Sequence, residues 1–309
     1  MDEVREKDLA DKLVVVTGAN SGIGLTACAE FAKRGARVIL AVRNPQRGEY
    51  AKTTLQAQTG SHQLEVAELD LASFNSIAEF ASQLGAQPID ILVNNAGIMA
   101  VPYATTAEGF ESQMGTNHLG HALLTAKLLP NLLKSPHPRV VTVTSFAHQG
   151  ANLNRGDRSE LIRDANSYSP WLVYSNSKLA NLLFARYLDA LTKAKGWGLI
   201  STAAHPGYAN TNLQYVAPSQ KGGLGGAVGL AATKLMNNTI AQSAEAGALP
   251  TVMAATDATL KGGELVGPRG FMQTRGKPGV VKSSKKGNDS ELGKRVMKTT
   301  EELIETKVG

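Results

Sequence analysis

The 309-residue chain reads as a doubly wound α/β fold of the Rossmann type, with about seven parallel strands in one sheet and helices on both faces. Three observations predict it. Short β-branched runs alternate with helical patterns along the chain. The runs are apolar throughout rather than at every second residue, as strands buried on both faces must be. A glycine-rich turn joins the first run to the first helix.

In order, the strands fall at Leu13–Thr17, Arg37–Val42, Leu64–Leu69, Ile89–Val93, Arg139–Thr144 and Leu199–Ala203, each bounded by turn residues. A seventh is expected at Glu264–Val266. Between them Leu25, Ala29, Ala32 and Lys33 form a helical stripe, and further helices are predicted over Arg47–Gln58, Phe74–Leu84, Phe110–Leu133, Leu172–Lys193 and Ser243–Thr256. Two stretches break the alternation. Gln149–Pro170 is polar and too long for an ordinary strand-to-helix loop, so it is expected to cover a site. Beyond Gly270 lies a basic tail, residues 271–309, in which Ser290–Lys307 can form an amphipathic helix through Leu292, Val296, Leu303 and Ile304. No repeat or low-complexity linker divides the chain, and a single domain is expected.

Composition narrows the function. With 42% hydrophobic and 19% charged residues the chain is no disordered protein, and a lone Cys28 leaves no disulfide framework or thiolate-rich zinc site. A reducing compartment, the cytoplasm, is the expected location. The charged start MDEVREKDLADK has no apolar run behind it, so neither a signal peptide nor a membrane span is expected. Arg275 to Lys298 holds eight basic and two acidic residues, a surplus equal to the net charge of +6 for the whole chain. The rest is neutral, which argues against a nucleic-acid partner, since the basic segment has no base-stacking aromatics. It is expected to be a solvated, partly mobile tail, with contact to an anionic surface as the functional alternative.

The turn after the first strand is TGANSGIG, Thr17 to Gly24. Gly18 permits a tight turn, Gly22 lets backbone approach a pyrophosphate, and Gly24 allows close helix packing. Asn20, Ser21 and Ile23 complete a loop whose helix N-terminus offers free N–H groups to phosphates. The bland alternative is a tight turn with no ligand. At the end of the second strand Val42 stands where an NAD binder places a carboxylate, and Arg43 follows. A guanidinium suits a 2′-phosphate, so NADP(H) is expected over NAD(H), unless Arg43 is an ordinary solvated arginine. Asp70, with Leu71 beside it, is placed for an adenine amino group or is a turn aspartate.

YSNSK sets Tyr174 and Lys178 four apart on one helix face. A tyrosine acting as acid or base near neutral pH needs its pKa lowered from about 10 by roughly 3 units. An ammonium about 4 Å away supplies about 4 kcal/mol at an effective dielectric of about 20. His118 and His121 lie three apart on a helix, but no carboxylate or cysteine completes a set, and no metal is expected.

TGANSGIG, NNAG (Asn94 to Gly97), Asn117 in TNHLGH, Ser145 in VTVTSFAH, YSNSK and HPG (His205 to Gly207) occur in the order of the short-chain dehydrogenase/reductase family, which the chain resembles over about residues 10 to 267. NHLGH, SKLANLLFA and the long loop before Tyr174 are similar to its retinol-dehydrogenase and WW-domain oxidoreductase-like branch. The resemblance implies that Tyr174 is general acid/base, Ser145 stabilises the substrate oxygen, Lys178 lowers the Tyr174 pKa and holds the nicotinamide ribose, and Asn117 kinks its helix and supports a water relay. It further implies cofactor contacts from Asn95, Ala96 and Gly97, from Pro206 and Gly207, and from Thr211. Tyr208 and Ala209 depart from the family's usual aliphatic residue. An apolar, glycine-rich substrate lid over about residues 212–238 is implied, closing with Gln149–Pro170 over the nicotinamide. So is a homodimer or homotetramer built through the helices starting near Phe110 and Leu172. SKLANLL lacks the cysteine of the protochlorophyllide reductases, which argues against pigment reduction. The reading is an NADP(H)-dependent oxidoreductase for an apolar aldehyde, ketone or secondary alcohol. Its alternatives are a catalytically silent NADP(H)-binding regulatory protein and a sugar-nucleotide epimerase, and the chain lacks the larger C-terminal domain of the latter.

Overall fold

The computed structural model describes residues 8–207 and 243–309. In chain order its elements are β1 (Leu13–Thr17), α1 (Gly22–Lys33), β2 (Arg37–Val42), α2 (Pro45–Thr59), β3 (Leu64–Glu68), α3 (Phe74–Leu84) and β4 (Ile91–Asn94). Then come α4 (Ser112–Met114), a π-helical turn (Gly115–Leu119), α5 (Gly120–Leu132), β5 (Arg139–Val143), α6 (Arg158–Leu161), α7 (Pro170–Lys195) and β6 (Ile200–Ala204). After residue 242 follow α8 (Ala244–Thr256), β7 (Leu265–Pro268), β8 (Pro278–Val280) and α9 (Ser290–Leu303).

One sheet carries all of these strands, in the order β3-β2-β1-β4-β5-β6-β7-β8. Each face has its own core because successive side chains point opposite ways. Leu13 and Val15 join Phe80, Leu124 and Phe184 on one face, while Val14 and Val16 join Phe31, Leu55 and Val252 on the other. This is why the strands read as unbroken apolar runs. The strand order reverses direction between β1 and β4, and the crevice left there at the carboxyl ends is where such folds place ligands. Cys28, on α1, is fully buried, and burial pushes its thiol pKa up. No helix among the described residues is long and apolar enough to cross a membrane.

Four expectations change. The sheet has an eighth strand, β8, antiparallel to β7. The Phe110–Leu133 pattern resolves into α4, the π turn and α5. The tail is not a solvated appendage. In α9, Leu292, Val296, Met297 and Leu303 are buried in the core they share with Leu179 and Leu183 of α7, while Lys294, Arg295 and Lys298 face water. The charge count averaged over two unlike faces. The Gln149–Pro170 loop is likewise drawn to α9: the Glu160 carboxylate accepts the N–H groups of Asn154, Arg155 and Gly156 at 2.9, 2.8 and 2.9 Å. Arg295 then donates to the Arg155 carbonyl at 2.9 Å and Thr299 to that of Gly156 at 2.8 Å. Residues 154–160 are therefore clamped to the C-terminal helix instead of closing over the site.

Met297→Ala is expected to destabilise the protein by about 2–5 kcal/mol in urea unfolding, as a core truncation does, whereas Lys298→Ala changes it by about 0.5 kcal/mol or less. Equal and negligible effects would restore the solvated tail.

Candidate active site

At the carboxyl end of β1, Thr17 joins two strands and a helix. Its hydroxyl accepts the N–H groups of Asn95 and Ala96, each at 2.9 Å, and lies 2.9 Å from His121 Nε2. The other ring nitrogen, Nδ1, faces the Asn117 carbonyl at 2.9 Å and must donate to it, so Nε2 accepts the threonine proton. The Asn95 amide in turn donates to the Thr17 carbonyl at 2.7 Å. The glycine loop packs on this knot. Gly18 takes the left-handed conformation at φ 64°, and a Cβ there would meet the Ala96 Cα at 2.9 Å; one on Gly24 would meet Asn95 Nδ2 at 2.4 Å.

The loop leads into α1, where Ser21 stands at the N-cap without a side-chain cap hydrogen bond and the first turn holds no acid. Backbone N–H groups are thus left to face an anion, and the residues present fit a dinucleotide pyrophosphate. An open depression of about 490 Å³ beside the loop is lined by Asn20, Ser21, Gln46, Arg47 and Tyr50. Arg43 is exposed one residue before Asn44, which caps α2 by accepting the Arg47 N–H at 2.9 Å. The cation lining the depression is Arg47, which sequence reasoning missed; its signal was its place in the first turn after the second strand. Asp70 accepts the Ala72 N–H at 2.9 Å, the work of a turn aspartate, and the Leu71 carbonyl abuts Gly120, where a Cβ would meet it at 2.4 Å.

The π turn Gly115–Leu119 holds Asn117, fully buried. Its amide grips Ile98 twice, accepting the N–H at 2.8 Å and donating to the carbonyl at 2.9 Å, and donates to Ser177 Oγ at 3.0 Å. Ser177 donates to the Tyr174 carbonyl at 2.8 Å, so the asparagine ties the NNAG strand end to α7. Gly97 lies between them: a Cβ there would stand 3.1 Å from Asn117 Oδ1 and 3.3 Å from Lys178 Nζ. Asn95, Ala96, Gly97, Asn117, Ser145, Tyr174 and Lys178 are thus brought around one crevice.

Tyr174 and Lys178 are both buried. Burial raises the tyrosine pKa, and a hydrogen bond with Ser145 opposes that rise. Burial also pushes Lys178 down to about 8; its Nζ donates to the Val143 carbonyl at 3.2 Å and sits 5.8 Å from the Tyr174 ring centre. The expected lowering of Tyr174 by the lysine is therefore not met in this arrangement. Both groups are desolvated, and the hydrogen bond from serine is the lowering influence.

His118 Nε2 lies 2.8 Å from Thr300 Oγ1 of α9 and its Nδ1 3.3 Å from Asn181 Oδ1. All four ring nitrogens of His118 and His121 are thus taken by hydrogen bonds, and among the described residues no group of three histidines, cysteines or carboxylates could hold a metal. The role of His121 was missed, although its spacing of four from Asn117 was the available signal. Gly207, at φ 69°, follows Pro206 at the end of β6 and donates to His205 Nδ1 at 3.2 Å. Thr211, with Tyr208, Ala209 and the lid segment 212–238, lies outside the described residues.

The family model for short chain dehydrogenases matches residues 12–155. Human retinol dehydrogenase 11 is 42% identical over 207 residues, 66% of this chain and 63% of that protein. The match thus spans less than two thirds of that relative's length. A crystal structure of an uncharacterized protein from Mycobacterium paratuberculosis is 41% identical, covers 99% of this chain and 97% of its own, and superposes with a TM-score of 0.78. A short chain dehydrogenase from Shigella flexneri, solved as a complex with NADP, shares the fold at a TM-score of 0.63 with 21% identity over 84% of this chain and 98% of its own. The chain belongs to the short-chain dehydrogenase/reductase family, in its retinol dehydrogenase-like branch.

Burial holds the pKa values of His118, His121 and His205 at about 4, 3 and 4, below the ordinary 6.5. The folded protein then binds fewer protons than the unfolded chain below pH 6.5, so this stability is present above that pH and is lost as pH falls. Each ring removes about 1.4 kcal/mol per pH unit. Urea unfolding at pH 7 and at pH 5 should show that loss; a flat profile would mean the rings are not held neutral.

Proposed function

We propose that this protein is an NADP(H)-dependent oxidoreductase that interconverts an apolar aldehyde or ketone with its alcohol. The observation that carries the reading is the convergence of Ser145, Tyr174 and Lys178 on the crevice whose walls are the glycine loop and the Asn95–Gly97 backbone. The α1 N-terminus and the loop glycines would hold the pyrophosphate, Gly97 and Lys178 the nicotinamide ribose, and Arg43 and Arg47 a 2′-phosphate. When bound, the nicotinamide supplies hydride-transfer chemistry.

The remaining work falls to the chain. Tyr174, its pKa raised, keeps its phenol proton at neutral pH and delivers it to the carbonyl oxygen during reduction. Ser145 donates a hydrogen bond to the same oxygen as charge develops there. Lys178, with a pKa near 8, is poised to return a proton to the tyrosine. Asn117 holds the Ile98 backbone and α7 in register, so that the three groups face one point. The naming of human retinol dehydrogenase 11 supports an apolar alcohol or aldehyde as substrate, and the Shigella complex supports NADP. The single buried thiol supports a reducing, cytoplasmic setting.

Tyr174→Phe should lower kcat by about 10²–10⁴-fold, the usual worth of a general acid, and leave NADPH affinity measured by fluorescence nearly unchanged. Full turnover in that variant would end this mechanism. An unaltered protein that binds NADPH and reduces nothing in a panel of long-chain and cyclic carbonyls would favour a silent regulatory role. Replacing Arg43 and Arg47 by Ala should weaken NADPH by about tenfold or more per lost charged contact while sparing NADH; equal loss for both cofactors would remove the 2′-phosphate assignment.

A further inference from the structure

Between Leu265 and Asn288 the chain carries six cations, Arg269, Arg275, Lys277, Lys282, Lys285 and Lys286, and no carboxylate. The fold sets Arg269, Arg275 and Lys277 between the strands of the β7–β8 hairpin at the edge of the sheet, and Lys282, Lys285 and Lys286 follow directly after β8. Arg269, Arg275, Lys277 and Lys282 are exposed, and among the described residues none of them belongs to an ion pair. At the tip of the hairpin two large apolar side chains stand in solvent, Phe271 at 77% and Met272 at 61% exposure.

That presentation is held in place. Met272 and Gln273 adopt left-handed backbone at φ 48° and 56°, which side chains larger than glycine avoid, so the surrounding structure must enforce it. Gln273 does so from both ends of its amide: it donates to the Lys282 carbonyl at 3.0 Å, and its oxygen lies 3.1 Å from Nε2 of the buried His205. The Thr274 carbonyl seats against Gly207, where a Cβ would meet it at 2.4 Å. A basic edge is a familiar guard against strand addition, and that accounts for Lys277 and Lys282 flanking β8. It does not account for Phe271 and Met272, because a guard keeps apolar side chains off the rim.

Exposed apolar side chains ringed by unpaired cations match one partner best, a surface with an apolar layer under negative charge. A nucleic acid would need a row of stacking aromatics, and the hairpin has one. We propose that the β7–β8 hairpin docks this protein reversibly on an anionic lipid surface, with the cations at the headgroups and Phe271 and Met272 in the interface. Because the hairpin tip packs on His205 and Gly207 at the carboxyl end of β6, docking turns the crevice edge of the sheet toward the lipid. The proposal does not depend on the reaction assigned to that crevice.

The test is flotation of the full chain with vesicles of phosphatidylcholine alone and of phosphatidylcholine mixed with phosphatidylserine, at low and high salt. Binding is expected to the mixed vesicles and to fall with salt. Each cation near the surface is worth about fivefold in partition, so Arg269→Gln, Arg275→Gln and Lys277→Gln together should weaken it by about 100-fold. Phe271→Ser with Met272→Ser should also weaken it, while circular dichroism and the thermal midpoint stay as in the parent. No binding to anionic vesicles, or unchanged binding in both variants, would overturn the proposal. So would capture by polyglutamate that matches the vesicles and ignores the Phe271 and Met272 substitutions, which would assign the patch to an acidic protein surface.

Discussion

The hydroxyl of Thr17 is the contact on which the site depends. It sits where the strand order turns back between β1 and β4, the place where loops leave the sheet toward opposite faces and open a crevice. A threonine hydroxyl has one proton and two lone pairs, and here all three are used: the lone pairs take the N–H groups of Asn95 and Ala96, and the proton goes to His121. Full satisfaction in a buried position leaves little freedom to any partner. The glycine loop is fixed against NNAG, NNAG against Asn117, and Asn117 against α7. Removing the hydroxyl would leave the Ala96 N–H and the His121 ring nitrogen without this partner, each loss costing about 1–3 kcal/mol, while the Asn95 N–H keeps the Val93 carbonyl at 3.0 Å.

Burial acts in opposite senses on the two titrating groups of the crevice. It raises the neutral acid Tyr174 and lowers the cationic acid Lys178, so the phenol holds its proton more tightly while the ammonium gives its proton up more readily. A proton passed from the ammonium to a tyrosinate therefore runs downhill, and that direction comes from shared desolvation. Fourfold spacing on α7 supplies the proximity, and the dryness of the site supplies the tuning.

Most of the sheet was legible in the sequence because a strand buried on both faces announces itself as an apolar run. Leu13–Thr17 and Arg37–Val42 were placed to the residue. The glycine loop and the Tyr174–Lys178 pair were legible for the same reason, since the geometry they serve is local. β8 was not, because Pro278-Gly279-Val280 carries turn residues and is a strand only through its pairing with β7. α9 was seen as an amphipathic helix, yet its net charge was given more weight than its stripe; periodicity reports which face is buried, and charge summed along a helix does not. The hydrogen-bond roles of His118 and His121 were out of reach, since their partners Thr300 and Thr17 lie 182 and 104 residues away in sequence.

Cys28 has no part in any of this chemistry, which gives it a use. It is the only thiol in the chain, fully enclosed beneath α1, with its ionisation suppressed by that enclosure. A thiolate is the species that reacts with alkylating reagents, so the folded protein presents none to them. Labelling can proceed only through openings that peel α1 from the sheet, the same helix whose first turn leaves N–H groups free for an anion. The rate of alkylation at this one sulfur therefore clocks how often the cofactor-binding half of the sheet opens, and its slowing as dinucleotide is added reads out binding free energy without any substrate for the enzyme.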